Sequence, residues 1–552
     1  MEQARLFIAI ALAFLVFILW DFFFVADPDD LQKQQKNQIS EQSQTEKPVM
    51  ENKEEKPLDF SIPATEESLE SVREPKIITV NTPFYSLNIS EKGAAFKSFV
   101  LKKYRETVDE KSPFKELISK DIDMGTVLLG FAGNSLPGLD NAVFSTDLEA
   151  DSVDVFKNDK MISFTWVSKQ GVVVSKKFFF SSQTYLIGLT VAIKNSSTYA
   201  LKDDLTLSLT KFLPGQGSTY GFEGPSALID NKLIQIKTKK IKEQNRYAGK
   251  MKWVAIQDRY FLSSIIPVNP GEATMHLSLL DKNIIQAQYV QSETLIRPGT
   301  QRIYEYKLYF GPLSTRILKN LGFDLRKVVN FGMFDIIAQP CLWLMNFLYS
   351  FIPNYGVAII ILTLLIKLVL WPLGTKSYKS MNEMKKLQPL MTEIREKHKN
   401  DKKKMNAEIM GLYKLYKINP VGGCLPMIVQ IPVFFALYRM LYKAIELRHA
   451  PFLWWINDLS APDRLLNFNF AVPMMQPPYG IPVLTIIMGG TMFLQQKMQP
   501  PQGDPAQAKI MMFLPIVFTV IFINFPSGLV LYWLVNNIIS ILQQYYVSKK
   551  FK

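Results

Sequence analysis

Apolar runs of membrane-spanning length stand at both ends of this chain and are separated by a long stretch of mixed polarity. The first run, residues 6–25, has about the 20 residues that cross a bilayer hydrocarbon core. Five further runs follow the mixed stretch. The pattern therefore predicts an α-helical polytopic membrane protein with six transmembrane helices, five of them in the second half. The five later runs are residues 357–373, 421–442, 480–494, 510–525 and 527–546.

Between the apolar runs, residues 76–310 carry short segments of β-branched and aromatic residues that partly alternate with polar ones. Such segments predict strands, and turn-forming residues such as Asn195-Ser196-Ser197 separate them. No helical pattern of similar strength alternates with the strands, so we expect an all-β, antiparallel sandwich rather than an α/β domain. A helix over residues 313–331 is expected to complete a domain at residues 76–330. The clearest predicted strands are residues 76–80, 85–89, 162–167, 172–180, 185–193 and 205–210.

The N-terminal run is predicted to remain in the protein as a signal anchor. Arg5 precedes it, and Asp21 stands where a cleavage site would have small residues. We therefore expect residues 1–26 to form a transmembrane helix, with a removed signal peptide as the alternative. Residues 27–75 are rich in Gln, Glu, Lys and Ser and predict a disordered linker, which would be periplasmic if the chain comes from a Gram-negative bacterium. A single crossing before the β domain would place that domain outside the cytoplasm.

Charge sets the expected topology of the second half. Residues 376–417 contain twelve Lys or Arg against five Asp or Glu, and the whole chain has a net charge of +14. A short loop this basic is typical of the cytoplasmic side. The tail at residues 548–552 is also basic, and the four predicted crossings between it and the loop allow both to be cytoplasmic. Nucleic-acid binding by the loop is the weaker alternative, because both of its ends enter membrane segments.

Two further helical elements are expected at the membrane surfaces. Residues 331–356 predict an interfacial amphipathic helix, since an apolar and aromatic segment there is bracketed by Pro340 and Pro353. The basic loop predicts a helical hairpin formed by residues 378–399 and 402–417. Apolar residues recur in it at three or four positions and would face each other across the hairpin. They are Met381, Met384, Leu387 and Met391 on one helix and Met405, Ile409, Leu412 and Leu415 on the other.

The residues that usually carry metal or nucleophilic chemistry are scarce. The chain has two cysteines, Cys341 and Cys424, and three histidines, which gives neither a disulfide framework nor zinc-ligand spacing. An intramembrane hydrolase that uses Ser527 is disfavoured, because its Pro-Ser-Gly context predicts a turn and no predicted crossing contains a histidine. We expect no catalytic residue, no metal and no cofactor.

Lys367 is the most informative single residue, because it lies within the apolar run at residues 357–373. A charge at the centre of a membrane helix costs about 2.5–3.5 kcal/mol on insertion scales. Such a charge usually marks a pathway for something polar. The alternative is a lysine that extends its ammonium to the interface near Trp371 and Pro372.

Other polar residues in the predicted crossings could surround this charge. Thr363 is four residues before Lys367 and shares its helix face. Gln430 lies in the second of the later crossings, and Tyr532, Asn536 and Asn537 lie in the last one. These side chains either converge into a hydrophilic cavity or make scattered interhelical hydrogen bonds. The run at residues 510–525 is short for a membrane crossing. Either the bilayer is thinner around it, or its flanking residues lie deeper in the membrane.

Four segments of the second half resemble the YidC family of membrane-protein insertases. They are GLYKLYK at residues 411–417, INPVGGCLPMIVQIPVFFALYRML at 418–441, ELRHAPFLWWINDLSAPD at 446–463 and FPSGLVLYWLVNN at 525–537. The resemblance extends over residues 335–547. The first half resembles the Gram-negative version, which has an extra N-terminal crossing and a large periplasmic domain. The resemblance implies that this domain is a β-supersandwich and that residues 357–547 form the five-helix insertase core.

The resemblance also implies a site. Family members have a groove, open to the cytoplasm and to lipid, in which one basic residue attracts the acidic end of a substrate. Lys367 falls at the position of that basic residue, where many members have arginine, and Tyr532 and Trp533 match paired aromatic residues. The expected groove residues are Lys367, Thr363, Gln430, Tyr532, Trp533 and Asn536. The hairpin at residues 376–417 is expected to receive substrate and ribosome through Lys385, Lys386, Arg395, Lys402 and Lys403.

We therefore expect a non-enzymatic insertase and chaperone of the bacterial inner membrane, with both termini in the cytoplasm and the large domain in the periplasm. Its expected partners are nascent membrane proteins with acidic translocated segments, the Sec translocon, the ribosome and the lipid bilayer, without a specific nucleic acid. The alternative is a secondary transporter for an anionic solute, which would call for inverted repeats that the sequence does not display.

Overall fold

The computed structural model describes residues 74–213, 222–281, 283–399, 401–416, 418, 425–499 and 505–550. The predicted signal anchor at residues 1–26, and the predicted linker apart from its last two residues, lie outside the described residues. A β domain comes first along the described chain and a helical region follows it. The predicted order of a β domain followed by a helical region is confirmed.

The β domain begins where β-branched and aromatic residues start to alternate. Its strands, among the residues that the structure describes, are β1 (Ile77–Asn81), β2 (Tyr85–Ser90), β3 (Ala95–Arg105), β4 (Phe114–Glu116), β5 (Leu128–Phe131), β6 (Ser145–Thr146), β7 (Ser152–Asp154), β8 (Lys160–Val167), β9 (Val172–Phe180), β10 (Leu186–Asn195), β11 (Leu201–Phe212), β12 (Gly224–Ile229), β13 (Lys232–Gln235), β14 (Arg246–Gln257), β15 (Phe261–Pro267), β16 (Glu272–Asp281), β17 (Ile284–Ile296) and β18 (Gln301–Pro312).

The strands form two sheets. The smaller has the order β4-β3-β2-β1-β7, and the larger runs β5-β11-β17-β16-β14-β15-β18-β10-β9-β8-β6, with β12 and β13 attached beside β14. Neighbouring strands are antiparallel, as predicted, apart from the parallel pair of β1 with β7. Hairpin connections between neighbours explain this arrangement, since antiparallel strands can be joined by short turns.

An aromatic layer joins the two sheets. Phe96 and Phe99 come from β3 in the smaller sheet, and Phe178 and Phe310 come from the larger one. The ring centroids of Phe99 and Phe310 are 5.1 Å apart, and those of Phe96 and Phe178 are 5.2 Å apart. All four side chains are at most 1% exposed. Large aromatic residues supply most of the buried area in such a core, which holds the sandwich together.

One charged residue replaces an apolar one in this core. In β9 the inward positions alternate as Val172, Val174, Lys176, Phe178 and Phe180, and Lys176 is 0% exposed. Its ammonium donates hydrogen bonds to the main-chain oxygens of residues 93, 94 and 127 at 3.0, 2.8 and 2.8 Å. Burial lowers the pKa of Lys176 to about 7.

The helical region contains nine α-helices among the described residues. They are α1 (Thr315–Leu321), α2 (Asp335–Phe351), α3 (Tyr355–Lys386), α4 (Gln388–Lys397), α5 (Lys402–Leu415), α6 (Leu425–Lys443), α7 (Val483–Met498), α8 (Pro505–Phe522) and α9 (Ser527–Lys550).

The helix predicted over residues 313–331 is shorter in the structure. Helix α1 ends at Leu321, because the next residue, Gly322, has a positive φ of 78° that ends a helix. Two 3₁₀ turns, Leu325–Val328 and Gly332–Phe334, cover part of the remaining distance to α2. The prediction of one continuous helix here is wrong.

Helix α2 lies where an interfacial helix was predicted. Its buried face consists of Ala338, Leu342 and Met345. Its opposite face is apolar as well as exposed, with Ile336 86%, Trp343 66%, Phe347 47% and Phe351 70% exposed. A face of this kind is suited to the boundary between lipid headgroups and acyl chains.

Helix α3 is longer than the predicted crossing. It continues through Pro372 to Lys386, beyond the predicted end at residue 373. The hairpin helix predicted over residues 378–399 is consequently divided at Leu387, between α3 and α4. Pro389 explains the division, because proline lacks an N–H and its ring clashes with the preceding turn. The prediction of one unbroken helix over residues 378–399 is wrong.

The apolar contacts of the hairpin largely follow the predicted spacing. Met381, Met384, Leu387 and Met391 are buried together, and Ile409 and Leu412 pack against them. Leu415 is 76% exposed, however, and Tyr413 occupies the buried position instead. At about 100° of helical rotation per residue, residue 415 lies far around α5 from residue 409, whereas residue 413 shares its face. The prediction for Leu415 is wrong.

Within the described chain, Tyr355–Lys386 is the helix that is long and apolar enough to span a membrane by length and composition, and Ile510–Phe522 is a shorter apolar helix. The predicted number of six crossings is therefore not established by the structure.

Candidate functional site

Lys367 lies inside the helical region and is 9% exposed. It is on α3, roughly 18 Å along the helix axis from Tyr355 at a rise of 1.5 Å per residue. Its ammonium donates a hydrogen bond to the hydroxyl of Ser540 on α9, with 2.8 Å between Nζ and Oγ. The neighbouring helix, rather than the helix end, is therefore what the side chain contacts.

A chain of hydrogen bonds extends from this contact. The hydroxyl of Ser540 donates to the main-chain oxygen of Asn536 at 2.7 Å. The side-chain oxygen of Asn536 accepts from Nε2 of Gln430 at 2.7 Å. The structure thus brings together three of the predicted site residues, Lys367, Gln430 and Asn536, and connects helices α3, α9 and α6 through polar side chains.

Two other polar residues of the predicted constellation bond elsewhere. Thr363 is 1% exposed, and its hydroxyl donates to the main-chain oxygen of Ile359 in the same helix at 2.7 Å. The amide of Asn537 donates to the hydroxyl of Thr491 on α7 at 3.2 Å. Thr363 therefore lines the same helix face as Lys367, whereas Asn537 connects α9 with α7.

The paired aromatic residues differ in their surroundings. Tyr532 is 3% exposed, and its hydroxyl is a hydrogen-bonding neighbour of Gln430. The ring of Trp533 lies edge to face with those of Phe434 on α6 and Phe522 on α8, at centroid distances of 4.6 and 4.9 Å. Trp533 therefore joins three helices beside the polar chain, and Tyr532 borders it.

Further polar residues continue along α9 toward its C-terminus. Gln543 donates to the main-chain oxygen of Trp371 at 2.9 Å and to the hydroxyl of Thr375 at 3.2 Å. Gln544 donates to the main-chain oxygen of residue 498 at 3.0 Å. Ser548 donates to the side chain of Asn382 at 3.1 Å. Ser540 and Gln543 were not among the predicted site residues, although polar residues recur at three- or four-residue spacing from residue 536 to residue 548.

Among the residues that the structure describes, no carboxylate pairs with the Lys367 ammonium. Helices α6, α7, α8 and α9 contain neither Asp nor Glu. In the part of the chain that the structure describes, no acidic side chain comes within 4.0 Å of the Lys367 ammonium. A hydroxyl dipole satisfies one N–H of an ammonium but leaves its net charge uncompensated. The site can therefore attract a negatively charged group.

The basic residues proposed for the cytoplasmic hairpin lie on α3, α4 and α5. Lys385, Lys386 and Lys403 are exposed, and Arg395 is half-buried. The side chain of Lys402 lies outside the described residues. Helices α4 and α5 are joined near their connection by a hydrogen bond of 2.9 Å between Nε2 of His398 and a carboxylate oxygen of Glu408, which holds the pKa of that carboxyl below its usual range.

Partly buried polar contacts connect the β domain to the helical region. The guanidinium of Arg259 donates to the main-chain oxygen of Tyr442 at 2.9 Å and lies 3.6 Å from the centre of its ring. Arg448 donates to the main-chain oxygen of residue 105 at 2.6 Å. Glu446 accepts a hydrogen bond from Ser314 at 3.2 Å, and burial raises the pKa of this carboxyl. These contacts attach the β domain to the helical region at the C-terminal end of α6.

Two families match adjoining segments of the chain. Residues 77–344 match the YidC periplasmic domain. Residues 347–552 match the family described as 60Kd inner membrane protein. The boundary between the two matches falls within α2, close to where the β domain gives way to the apolar helices.

Individual relatives match over most of their length. The chain is 42% identical over 479 residues to the membrane protein insertase YidC of Syntrophus aciditrophicus, covering 86% of this chain and 85% of the relative. It is 42% identical over 481 residues to that of Syntrophobacter fumaroxidans, covering 85% and 86%. Among solved structures, an active YidC insertase with its first transmembrane domain resolved is similar at 19% identity and a TM-score of 0.37, covering 86% of this chain and 93% of that one.

Proposed function

Because this chain belongs to the YidC family, we propose that it is a membrane protein insertase and chaperone, without enzymatic activity, that inserts and folds integral proteins in the inner membrane. The observation that carries the proposal is the Lys367 ammonium, which is buried among apolar helices and has a hydroxyl, rather than a carboxylate, as its partner. The alternative, a secondary transporter for an anionic solute, is not favoured by the relatives, which are insertases.

The uncompensated charge supplies the attraction for the substrate. An acidic segment of a nascent membrane protein would approach the Lys367 ammonium and replace or share the hydroxyl of Ser540. In a region of low dielectric constant, such an ion pair is far stronger than in water. The proposed site consists of Lys367, Thr363, Gln430, Tyr532, Trp533 and Asn536, to which the structure adds Ser540. The polar residues along α9 extend this site toward the C-terminal end of the helix.

The apolar part of the substrate is proposed to leave the site toward lipid, past α6 and α8. These helices present exposed apolar side chains, of which Ile516 and Val517 on α8 are 55% and 50% exposed. Trp533 packs between both helices, so it borders the exit. No covalent step is needed, since the apolar segment gains free energy by entering the bilayer.

The cytoplasmic hairpin, which comprises α4, α5 and the end of α3, is proposed to receive the substrate. Lys385, Lys386 and Lys403 give it an exposed positive surface, to which Arg395 and Lys402 would add. Such a surface attracts the phosphate backbone of ribosomal RNA and acidic segments of nascent chains without recognising a specific nucleic-acid sequence. The ribosome and the Sec translocon are the proposed partners.

The proposed topology has six crossings, with the β domain in the periplasm and both termini in the cytoplasm. Residues 1–26 would be the first crossing and α3, α6, α7, α8 and α9 the other five. Helix α2 would lie in the outer interface with Trp343 and Phe347 directed toward lipid. The basic residues at the hairpin and at the end of α9 support this orientation.

The proposal is tested by reconstituting the purified chain in liposomes and adding a ribosome-bound, single-span substrate with an acidic N-terminal tail. Insertion is measured as protection of the translocated tail from an external protease. We expect protection in vesicles with the chain and not in empty vesicles. Uptake of small anions, measured in the same vesicles, should equal that of empty vesicles. Anion uptake without tail protection would favour the transporter instead.

A further inference from the structure

A β-hairpin lies at the end of the helical region to which the β domain is attached. Its strands, β19 (Leu465–Phe468) and β20 (Tyr479–Ile481), connect α6 with α7. Leu465 pairs with Ile481 and Asn467 with Gly480, so that Leu466 forms a bulge with a φ of 54°. We call residues 465–481 the outer hairpin. The preceding residue, Arg464, determines how the outer hairpin is attached.

Arg464 and the connection between the two strands hold the outer hairpin against the turn between α8 and α9. Arg464 donates to the main-chain oxygens of Pro478 and Ile523 at 2.8 and 2.9 Å. Asn524 accepts from the main-chain N–H of Gln476 at 2.8 Å and donates to the main-chain oxygen of Met474 at 2.8 Å. The outer hairpin is therefore positioned by these polar contacts rather than by burial of its apolar side chains.

The apolar side chains of the outer hairpin are left exposed. Leu466, Phe470 and Met474 are 67%, 65% and 74% exposed, and the ring of Phe470 stacks on that of Phe468 at 5.1 Å. No charged residue occurs between Arg464 and Lys497. A water-exposed loop of this length is normally rich in charged and polar residues. The composition is instead that of a segment in contact with lipid.

The outer hairpin is continuous with the lipid-facing surface of the helices. β20 leads directly into α7, where Ile486 and Ile487 are 54% and 47% exposed. Arg464, just before the hairpin, bonds to the main-chain oxygen of Ile523 at the end of α8, where Ile521 is 41% exposed. The exposed apolar residues of the outer hairpin therefore extend a surface that already faces the bilayer, at the end of the helices where the β domain is attached.

We propose that the outer hairpin inserts Leu466, Phe470 and Met474 into the outer leaflet of the membrane, at the boundary between headgroups and acyl chains. Apolar and aromatic side chains prefer this region, and the uncharged sequence avoids the cost of dehydrating a charge there. The hairpin thus anchors the turn between α8 and α9 to lipid, on a part of the protein different from α2. The inference rests on the membrane location of the chain and does not require insertase activity.

Lipid contact can be measured with a fluorophore at one position of the full-length chain. Cys341 and Cys424 are replaced by serine, and Phe470→Cys is labelled with an environment-sensitive dye. The protein is reconstituted in phosphatidylcholine and phosphatidylglycerol vesicles that contain nitroxide lipids. We expect lipid nitroxides near the headgroup to quench position 470 several-fold more strongly than aqueous iodide does.

Two labelled controls bracket this result. A label at Val517→Cys on α8 is expected to be quenched by the lipid nitroxides. A label at Phe156→Cys in the β domain is expected to be quenched by iodide. Phe156 is the matched control, because its native side chain is 53% exposed and so resembles Phe470 in size and exposure. Because positions 156 and 470 are expected on the same side of the membrane, protein orientation in the vesicles affects both equally. Quenching of position 470 by iodide, as at position 156, would overturn the proposal. Protection from both quenchers would also overturn it and would indicate a second copy of the chain instead.

A second variant tests whether the native side chains anchor the hairpin or whether the dye alone enters the lipid. Leu466→Asp and Met474→Asp are combined with the label at position 470. The contacts of Arg464 with main-chain oxygens remain possible in this variant, so the hairpin is expected to stay attached. We expect lipid quenching at position 470 to be largely lost. Unchanged lipid quenching would assign the signal to the dye alone and would contradict the proposal.

Discussion

The ammonium of Lys367 and the hydroxyl of Ser540 form a hydrogen bond of 2.8 Å between α3 and α9. The hydroxyl proton is directed to the main-chain oxygen of Asn536, so its oxygen lone pairs are free to accept from the ammonium. Lys367 is therefore held in place by a neutral partner. This arrangement keeps the charge inside the helical region and available for the substrate carboxylate that we propose it binds.

Replacing Ser540 tests whether this partner positions the charge. Ser540→Ala removes the acceptor, and a hydrogen bond to a charged group contributes about 1.5–3 kcal/mol. We expect insertion of a substrate with an acidic tail to fall at least about tenfold, because 1.4 kcal/mol corresponds to a factor of ten. Ser540→Thr retains the hydroxyl and should restore insertion. The matched control is Ser548→Ala, which removes a hydroxyl from the same pair of helices without touching Lys367. Equal insertion by the two alanine variants would contradict this role.

The charge of Lys367 itself should matter only for acidic substrates. Lys367→Glu converts attraction into repulsion, so we expect insertion of acidic-tail substrates to fall at least about tenfold, which corresponds to 1.4 kcal/mol or more. Lys367→Arg keeps the charge and should be nearly silent. Insertion is measured in a depletion strain at matched protein levels. A substrate whose tail carries Asn in place of Asp serves as the control and should be affected little. Equal insertion by Lys367→Glu and the unmodified protein would refute the prediction.

Deleting residues 76–310 should leave insertion largely intact, because Lys367, Ser540 and Gln430 all lie in the helical region. The same deletion should lower the thermal stability of the remaining protein by several degrees, since it removes the contact of Arg259 with Tyr442 and that of Arg448 with residue 105, and uncovers Glu446. Growth of the depletion strain and unfolding in detergent measure the two effects. Arg259→Ala is the matched control, because it removes one contact and retains the domain. A stably expressed deletion that is inactive would count against the prediction.

The stability of the β domain should depend on pH through Lys176. Burial lowers the pKa of Lys176 in the folded chain to about 7, against 10.5 when unfolded. Between these values the unfolded chain binds more protons, so stability rises with pH. From pH 6 to pH 8.5 we expect a gain of about 2 kcal/mol, or roughly 4–8 °C in Tm.

The measurement compares thermal unfolding of the full chain with that of Lys176→Met, followed by tryptophan fluorescence. Other titrating groups are the same in both proteins, so the difference between their Tm values isolates Lys176. The methionine variant should lack this part of the rise with pH, whatever its absolute stability. Parallel Tm curves for the two proteins would show that Lys176 does not titrate in this range.

Much of the local structure could be predicted from the order of apolar and polar residues. The strand predicted at residues 172–180 coincides with β9, and that at 162–167 lies within β8, because alternation over a few residues is a local property. The position of Lys367 within a long apolar helix was equally evident. The break at Leu387 was missed although Pro389 signals it, since the apolar spacing continues across it.

Which groups meet was decided only by the tertiary structure. Nothing in the neighbourhood of Lys367 along the chain indicates Ser540, which is 173 residues away, because the pairing depends on how α3 and α9 are rotated about their axes. The same holds for Lys176, whose three main-chain acceptors come from β-domain turns distant in sequence. The sequence determined the elements and the scarcity of acidic partners, since both depend on residue type and local spacing. The partners of each buried charge depend on packing over long sequence separations, which local patterns do not encode.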